Sequence, residues 1–424
     1  MNIEDLYKIY RQFPSVQTDS RKLEKDDLFF ALKGPNFNGN IFAKQALEMG
    51  ASYVIADEDL SFTDERVIKV NDVLETLQQL AKYHRSQFNI PFIAITGSNG
   101  KTTTKELLHE VLASTFITYT TKGNLNNHIG VPLTILNIKS DAEMAVIEMG
   151  ANHMREIAGY CSYAEPTHGL ITNIGKAHLE GFGGVENVKK GKGELFDYLS
   201  SNNGIAFVNS DDASVLALGN QLKKAFYYGS KNGNTKGIIT ARDPFIEVEI
   251  EGTTPLRIKS QLVGEYNFPN ILAAACIGRY FKIEDERIKS AIENYVPSNS
   301  RSQLIRKDSN TIILDAYNAN PGSMKAAIEN FAAMKGEKKL LFLGDMKELG
   351  DDSKKEHEAI LSLIDQHTWH DVILVGNNFL EIKNKYYNFE NALQARDWLK
   401  SQNIENALFL IKGSRSMQME KVLE

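Results

Sequence analysis

The chain has 424 residues, more than a single hydrophobic core sustains, so about two to four domains are expected. Hydrophobic residues make up 42% of the chain and charged residues 24%, and the net charge of −6 argues against a protein that wraps nucleic acid. The two cysteines, Cys161 and Cys276, are far apart, and no apolar run reaches the length of a membrane-spanning helix. These features predict a cytoplasmic protein with no disulfide framework and no direct insertion into a membrane.

The first segment, residues 1–89, predicts a small α/β domain. Short apolar runs predict strands at 28–32, 53–56 and 67–70. Helical spacing of apolar residues predicts helices over 41–49 and 73–88. The segment is too short for a complete nucleotide-binding fold of the usual kind.

The second segment, residues 90–297, predicts a central domain built on a parallel sheet, because strands alternate with helices. Apolar runs predict strands at 92–95, 145–147, 170–174 and 205–208. Between 245 and 262 apolar and polar residues alternate around a Gly252-Thr-Thr-Pro255 turn, which predicts a β-hairpin. An alanine-rich helix is expected over 269–280.

The third segment, residues 298–424, predicts a Rossmann-like domain, again with strands and helices in alternation. The predicted strands are 312–314, 340–343, 372–375 and 408–411. Each strand runs directly into a polar or glycine-containing turn. Ligands of open parallel sheets gather at the carboxyl ends of strands, so these turns are expected to face a binding site.

A glycine-rich stretch between the first strand of the second segment and its first helix predicts a phosphate-binding loop. Its residues are Gly97, Ser98, Asn99, Gly100, Lys101, Thr102 and Thr103. The glycines let backbone N–H groups turn inward, the helix N-terminus adds positive potential, and the lysine reaches the outer phosphates. The hydroxyl of Thr102 is a candidate Mg²⁺ ligand.

Three charged or titratable residues beyond the loop have open interpretations on the residues alone. Glu148 ends a predicted strand beside the loop, so it is a Mg²⁺ ligand or a solvated strand-end charge. His178 follows another strand of the same sheet edge, as a ligand or a hydrogen-bonded structural residue. Lys192 lies in the basic run Lys189-Lys190-Gly-Lys192, which composition alone identifies as a solvated surface.

Four motifs together resemble those of the Mur ligases of peptidoglycan synthesis. They are the loop at 96–103, Glu148-Met-Gly, Asn173-Ile-Gly-Lys-Ala-His178 and Asp315-Ala-Tyr-Asn-Ala-Asn-Pro321. Within the family, four stretches are most similar to the members that add D-alanyl-D-alanine to UDP-N-acetylmuramoyl-tripeptide, namely 123–134, 317–321, 343–350 and 412–415. The resemblance covers essentially the whole chain. It implies an ATP-dependent amide-bond ligase that acts through an acyl phosphate.

The resemblance also implies roles for individual residues. The 97–103 loop would hold ATP, with Lys101, Glu148, His178 and Lys192 as catalytic residues. The Mg²⁺ ligands would be Thr102, Glu148, His178 and Lys192, the lysine being carbamylated in several relatives. Contacts to the nucleotide are expected from Asn270, Arg301, Asp315, Asn318 and Asn320.

The resemblance further implies that the UDP-sugar peptide is bound by Asp19, Ser20, Arg21, Asn124, Asn126 and Asn127. In the first domain the chain departs from the family, because Asn38-Gly-Asn40 stands where relatives carry Asp-Gly-His. The implied partners are UDP-N-acetylmuramoyl-tripeptide and D-alanyl-D-alanine, with no nucleic acid, and the expected state is a monomer. Lys412, Ser414 and Arg415 are further candidates for lining the cleft.

Two other functions remain open at this point. One is another ligase of the superfamily, similar to folylpolyglutamate synthetase, against which the Tyr317-Asn-Ala-Asn-Pro321 motif argues. The other is a switch protein that hydrolyses ATP to drive motion and forms no amide. Dependence of phosphate release on both peptide substrates distinguishes a ligase from such a switch.

Overall fold

The computed structural model describes residues 1–424 and contains three main β-sheets, each drawn from a separate part of the chain. A four-stranded sheet belongs to the first domain, a nine-stranded sheet to the central domain and a six-stranded sheet to the C-terminal domain. The predicted architecture of three α/β domains is therefore confirmed. The domain boundaries that follow 89 and 297 stay a proposal.

The first domain has a parallel sheet in the order β1-β2-β5-β6 and a separate two-stranded hairpin, β3-β4. Its strands are β1 (Val16–Gln17), β2 (Leu28–Phe30), β3 (Lys33–Gly34), β4 (Phe37–Asn38), β5 (Tyr53–Ala56) and β6 (Val67–Lys69). Its helices are α1 (Ile3–Gln12), α2 (Ala43–Glu48) and α3 (Val73–Arg85). Helix α3 begins after Asp72, whose side chain accepts a hydrogen bond from Glu75 N and so satisfies an N–H group at the helix start.

The central sheet has the order β15-β14-β13-β12-β11-β10-β7-β9-β8. Its strands are β7 (Phe92–Thr96), β8 (Thr118–Thr120), β9 (Met144–Glu148), β10 (His168–Ile171), β11 (Ile205–Asn209), β12 (Ala225–Gly229), β13 (Thr235–Ala241), β14 (Glu247–Ile250) and β15 (Leu256–Lys259). Its helices are α4 (Lys101–Ala113), α5 (Gly130–Leu136), α6 (Glu156–Ala164), α7 (Leu179–Phe182), α8 (Val185–Ser201), α9 (Ala213–Gly219), α10 (Phe268–Tyr280) and α11 (Asp285–Asn294). Strand β7 is buried at every position and lies between β9 and β10, so the loop that follows it leaves the middle of the sheet.

The C-terminal sheet has the order β16-β17-β21-β18-β19-β20 and is parallel except for the edge strand β16. Its strands are β16 (Gln303–Lys307), β17 (Asn310–Asp315), β18 (Lys339–Gly344), β19 (Asp371–Val375), β20 (Tyr387–Phe389) and β21 (Leu408–Lys412). Its helices are α12 (Pro321–Ala333), α13 (Ser353–Ile364), α14 (Asn377–Leu380) and α15 (Ala392–Gln402). The carboxyl ends of β17 and β21 carry Asp315 and Lys412 toward the central domain.

Three details of the structure differ from the sequence predictions. The central sheet is not wholly parallel, because the predicted hairpin β14-β15 continues it in antiparallel pairing from β13. The strand predicted over 170–174 ends at Ile171, since the next residues turn to bond the loop after β7. The helix predicted over 41–49 is a 3₁₀ helix at Gly39–Phe42 and an α-helix only from Ala43.

The first domain is anchored to the central domain by polar contacts as well as by packing. Arg85, at the end of α3, donates to Ala164 O and Glu165 O at 3.0 Å each and lies 3.8 Å above the ring of Phe92. Those carbonyls end α6, so the guanidinium satisfies acceptors that the helix itself leaves open. Nearby, Nε2 of His84 lies 2.8 Å from the carbonyl oxygen of Ile138. The two domains therefore meet in a hydrogen-bonded junction whose polar side chains, His84 and Arg85, are buried.

Candidate active site

A glycine-lined loop connects β7 to α4 at the centre of the nine-stranded sheet. Gly97 has φ +142° and Gly100 has φ +77°, backbone conformations that residues with a Cβ rarely adopt. A Cβ at Gly97 would lie 2.0 Å from Thr172 Oγ1, and one at Gly100 would lie 2.8 Å from Asn270 Oδ1. Helix α4 begins at Lys101 with no side-chain cap, so no capping side chain satisfies its first N–H groups and they could bind an anion. The loop has the geometry of a phosphate cradle.

The residues after β10 hold this loop in place. Ser98 N donates to Asn173 O and Asn99 N donates to Asn173 Oδ1, both at 3.0 Å. In return, Asn173 Nδ2 and Thr172 Oγ1 donate to Asn99 O at 2.9 and 2.6 Å. Thr172 was not among the predicted site residues, and Asn173 was named only as the first residue of a family motif. The available signal was their position, directly after a parallel strand that neighbours β7.

Lys101 points back into the loop. Its Nζ donates to Gly97 O at 2.8 Å and to Ser98 O at 3.3 Å. Burial lowers the pKa of Lys101, and the nearby Glu148 carboxylate opposes that shift. The ammonium thus lies at the centre of the cradle, where the terminal phosphate of a bound nucleotide would meet it.

Glu148 is the last residue of β9 and is only 1% exposed. Its Oε1 accepts hydrogen bonds from Thr102 Oγ1 at 3.1 Å and from Asn126 Nδ2 at 2.8 Å. Its Oε2 is buried and has no hydrogen-bond partner. A buried carboxylate oxygen without a donor is costly unless a cation meets it. Glu148 and Thr102 therefore fit Mg²⁺, which prefers oxygen ligands beside phosphates.

The other two predicted metal ligands lie apart from Glu148. His178 lines the same cavity, but its Nδ1 lies 2.5 Å from Oε2 of Glu348, and hydrogen bonding to His178 lowers the pKa of Glu348. Lys192 is fully buried outside the cavity lining and donates to Ala151 O at 2.7 Å. In the structure, no three His, Cys, Asp or Glu side chains converge on one metal position. The metal roles of His178 and Lys192 stay predictions.

The interpretation of Lys192 as part of a solvated basic run is wrong. Its side chain is 0% exposed, and burial lowers the pKa of its amine well below the usual value. The signal in the sequence was helical spacing, since Val188, Lys192 and Phe196 recur every four residues on the inner face of α8. A lowered pKa favours the neutral, nucleophilic form of the amine, in keeping with the carbamylation that the resemblance implies.

Most residues predicted to contact the nucleotide line one cavity of about 660 Å³ between the central and C-terminal domains. The lining includes Ser98, Asn99, Gly100, Lys101, Thr102, Thr103, Asn270, Arg301, Asp315, Asn318 and Asn320. Gly97 does not line the cavity, because it lies at the base of the loop against Thr172. Two of the further candidates, Lys412 and Arg415, also line it.

Contacts across this cavity join the two domains. Asn320 Nδ2 donates to Asn99 Oδ1 at 2.7 Å, so the cap of α12 touches the phosphate loop. The guanidinium of Arg301 lies 3.6 Å above the ring of Tyr317, which offers a flat, cationic surface. The buried Lys412 ammonium lies 2.6 Å from Asp315 Oδ2 and fixes that carboxylate at the cavity wall.

The predicted substrate residues fall into two groups. Asn124, Asn126 and Asn127 line the cavity, and Asn126 bonds Glu148 directly.

Asp19, Ser20 and Arg21 lie in the first domain, outside that cavity. Arg21 donates twice to Asp19 at 2.8 Å and lowers the pKa of that carboxyl to about 2. Asn40, which departs from the family motif, is buried and donates to Asp57 Oδ1 at 2.9 Å. The substrate roles of Asp19, Ser20 and Arg21 stay predictions.

Models of three Mur ligase domains match the chain in order. They are the Mur ligase family catalytic domain over residues 12–85, the Mur ligase middle domain over 95–278 and the Mur ligase glutamate ligase domain over 300–415. The chain belongs to the Mur ligase family. The middle-domain match spans the phosphate loop, Glu148, His178 and Lys192, so the predicted core of the site lies within a family domain.

Among similar proteins is the UDP-N-acetylmuramoyl-tripeptide--D-alanyl-D-alanine ligase of Escherichia coli (strain K12). It is 35% identical, with 96% of this chain and 92% of that protein covered. The ligase of the same name from Bacillus subtilis (strain 168) is 34% identical with the same coverage. The similarity therefore extends over all three domains of this Mur ligase.

Solved structures agree with the sequence matches. A crystal structure of MurF from Acinetobacter baumannii superposes with a TM-score of 0.88 at 30% identity, covering 96% of this chain and 92% of that chain. MurF ligase from Thermotoga maritima in complex with ADP gives 0.86 at 28% identity, with 96% of both chains covered. Folylpolyglutamate synthase from Mycobacterium tuberculosis gives 0.65 at 15% identity over 82% of this chain, which shows a shared fold alone. No helix of this Mur ligase is long and apolar enough to cross a membrane.

Proposed function

We propose that this Mur ligase joins D-alanyl-D-alanine to UDP-N-acetylmuramoyl-tripeptide with the hydrolysis of ATP, which supplies the pentapeptide precursor of peptidoglycan for cell-wall growth and division. The observation that carries the proposal is the phosphate cradle at 97–100, with Lys101 at its centre and the unpartnered Oε2 of Glu148 in the same cavity. The substrate class comes from the names of the relatives, which are similar to this protein over 96% of its chain.

The reaction has two steps. The terminal carboxylate of the tripeptide attacks the γ-phosphorus of ATP, ADP leaves, and an acyl phosphate forms. The amine of D-alanyl-D-alanine then attacks the acyl carbonyl, phosphate leaves, and the amine proton passes to solvent. Phosphoryl transfer depends on positioning and charge neutralisation more than on protein nucleophiles. A site made of a lysine, backbone N–H groups and a single buried carboxylate suits that demand.

We propose that the residues around the cradle have different roles in the reaction. The first N–H groups of α4 and the Lys101 ammonium face the phosphates and offset the charge that develops on the transferred group. Glu148 and Thr102 would hold Mg²⁺, which when bound neutralises repulsion between the two anionic substrates. Asn126 orients Glu148 through its 2.8 Å hydrogen bond. Contacts such as Asn320 to Asn99 bring the C-terminal domain over the loop and exclude water from the acyl phosphate.

We propose that the three domains carry separate duties. Residues 1–89 bind the UDP-sugar, residues 90–297 bind ATP, and residues 298–424 complete the nucleotide site and admit the dipeptide. We also propose that the protein works as a cytoplasmic monomer.

The test is mass analysis of products after incubation with ATP, Mg²⁺, D-alanyl-D-alanine and a UDP-tripeptide that ends in diaminopimelate or lysine. We expect a UDP-pentapeptide and one phosphate per product, and no product with the Lys101→Ala variant. Phosphate release that ignores both peptide substrates would instead indicate an ATP-hydrolysing switch. A product with a folate and glutamate, and none with the dipeptide, would indicate a folylpolyglutamate-type ligase.

A further inference from the structure

The loop after β18 docks onto the segment of the central domain that carries His178. Lys176 Nζ lies 2.5 Å from Oε1 of the buried Glu356, and Glu180 N donates to Glu348 O at 3.3 Å. A Cβ on Gly350 would lie 3.4 Å from the Cβ of Glu180, which is van der Waals contact. Two segments more than 160 residues apart in the sequence thus meet at the edge of the cavity.

Within this contact, Glu348 reaches the imidazole of His178. Its Oε2 lies 2.5 Å from His178 Nδ1, a close contact that is not aligned as a standard hydrogen bond, and this buried nitrogen has no hydrogen-bond partner elsewhere in the chain. Both residues have left-handed backbones, with φ +53° for His178 and +63° for Glu348. Histidine is among the residues that adopt this conformation more readily, whereas it is uncommon for glutamate. A left-handed glutamate therefore meets a left-handed histidine of another domain through their side chains.

The base of the Glu348 loop is held rigidly. Asp345 is fully buried and accepts hydrogen bonds from Asn378 N at 3.1 Å and Asn378 Nδ2 at 3.0 Å. The buried imidazole of His357 accepts from Met346 N at 3.1 Å and also bonds Ser353 O at 2.7 Å. Glu348 is therefore carried by an ordered loop, and its position relative to His178 depends on how the two domains dock.

We propose that Glu348 is a positioning residue for His178, delivered by the C-terminal domain. A carboxylate at Nδ1 keeps the proton on that nitrogen and leaves the lone pair of Nε2 for the cavity that His178 lines. Docking of the C-terminal domain thereby sets both the tautomer and the orientation of the ring. The significance of this contact for catalysis rests on the proposed ligase function.

Two features of the contact separate it from an ordinary surface ion pair. The His178 nitrogen is buried and has no hydrogen-bond partner elsewhere, although the Glu348 side chain is 53% exposed, whereas in a surface pair water satisfies both groups. Glu348 also lines the cavity, as does His178. The neighbouring pair Lys176–Glu356 lies in the same interface but outside the lining, so it provides a matched control.

The first measurement is the tautomer of His178 by ¹⁵N NMR of the full chain, with a non-hydrolysable ATP analogue and without divalent cations. We expect the proton on Nδ1 in the wild-type protein and a shift to Nε2 in Glu348→Ala. The Glu356→Gln variant removes the charge of the neighbouring pair and is expected to leave the ring signals unchanged. Replacement of His178 by Asn assigns those signals, and thermal unfolding checks that each variant folds.

The second measurement is steady-state kinetics of the ligation. We expect Glu348→Ala to lower kcat by about 10- to 100-fold, the range for partners that orient a ligand histidine, with KM for ATP within about twofold of wild type. Glu348→Gln keeps an acceptor and is expected to recover most of that loss. Glu356→Gln is expected to change kcat by less than about threefold, because a single ion pair at the edge of the interface contributes little free energy.

The proposal is overturned if Glu348→Ala leaves the proton on Nδ1, or if Glu356→Gln shifts the tautomer or lowers kcat as much. A wild-type protein that forms no amide would overturn the proposed function, yet the tautomer comparison would still decide whether Glu348 positions the ring. The two failures are therefore distinguishable.

Discussion

Gly97 offers a direct test of the phosphate cradle through the variant Gly97→Ala. The new Cβ would lie 2.0 Å from Thr172 Oγ1, so that hydroxyl has to retreat by about 1 Å to reach the 3.0 Å limit of real contacts. The retreat breaks its 2.6 Å hydrogen bond to Asn99 O, which holds the loop. Alanine at φ +142° adds backbone strain of about 1–3 kcal/mol.

The variant relieves this strain by moving the loop, so binding of a nucleotide has to restore the strained form. At 1.4 kcal/mol per tenfold change, we expect a 5- to 140-fold increase in Kd for ADP, as an order of magnitude, measured by titration calorimetry. The double variant Gly97→Ala/Thr172→Ala is expected to recover only part of the loss. Main-chain N of Thr172 and of Asn173 still lie 3.0 and 3.2 Å from the added Cβ.

Gly184→Ala is the matched control, because Gly184 has a similar φ of +126° and a Cβ there meets nothing within 4 Å. It is expected to lower stability slightly and to leave ADP binding intact. Wild-type affinity in Gly97→Ala, or an equal loss in Gly184→Ala, would refute the argument that close approach to Thr172 shapes the cradle.

Three further predictions concern buried titratable groups. Glu148→Gln removes the negative charge of the carboxylate whose Oε2 has no partner. We expect ATP turnover in this variant to require a Mg²⁺ concentration about tenfold higher or more than the wild-type protein requires for saturation. An unchanged Mg²⁺ titration curve would contradict the metal role. Burial lowers the pKa of the Lys192 amine and so favours the neutral form that reacts with CO₂; ¹³CO₂ is therefore expected to give a carbamate signal in ¹³C NMR that Lys192→Arg lacks. Burial lowers the pKa of His168 from 6.5 to about 4, so the unfolded chain takes up a proton first as pH falls. Between pH 6.5 and 4 stability is therefore expected to fall by up to about 1.4 kcal/mol per pH unit, and urea unfolding of His168→Gln at pH 7 and pH 5 is expected to show a shallower slope.

The sequence predicted those parts of the fold whose signal is local. Strand β7 is buried on both faces, so it stands out as an unbroken apolar run before a glycine-rich loop. Edge strand β16, with the sequence Gln303–Lys307, carries charged and half-exposed side chains and gives no such run. Its pairing with β17 depends on a neighbour in space and not on its own composition.

For the site too, the sequence predicted the residues whose signal is local and missed those that depend on contacts in space. The determinants of the phosphate loop lie in eight consecutive residues, so their spacing alone indicates the function. The partners of the loop, such as Thr172 and Asn173, are recognised only when β10 is placed beside β7. Glu348 reaches His178 from another domain, and no period or motif of the sequence indicates that meeting. These contacts form only when the chain folds, so the three-dimensional structure is needed to find them.

The hydrogen bonds of Arg85 tie α3 to the end of α6, so they limit how far the first domain turns relative to the phosphate loop. If residues 1–89 bind the sugar nucleotide, as we propose, this junction would set the distance between the bound sugar and the γ-phosphate. An acceptor peptide of a different length would then place its carboxylate away from the phosphorus that it has to attack.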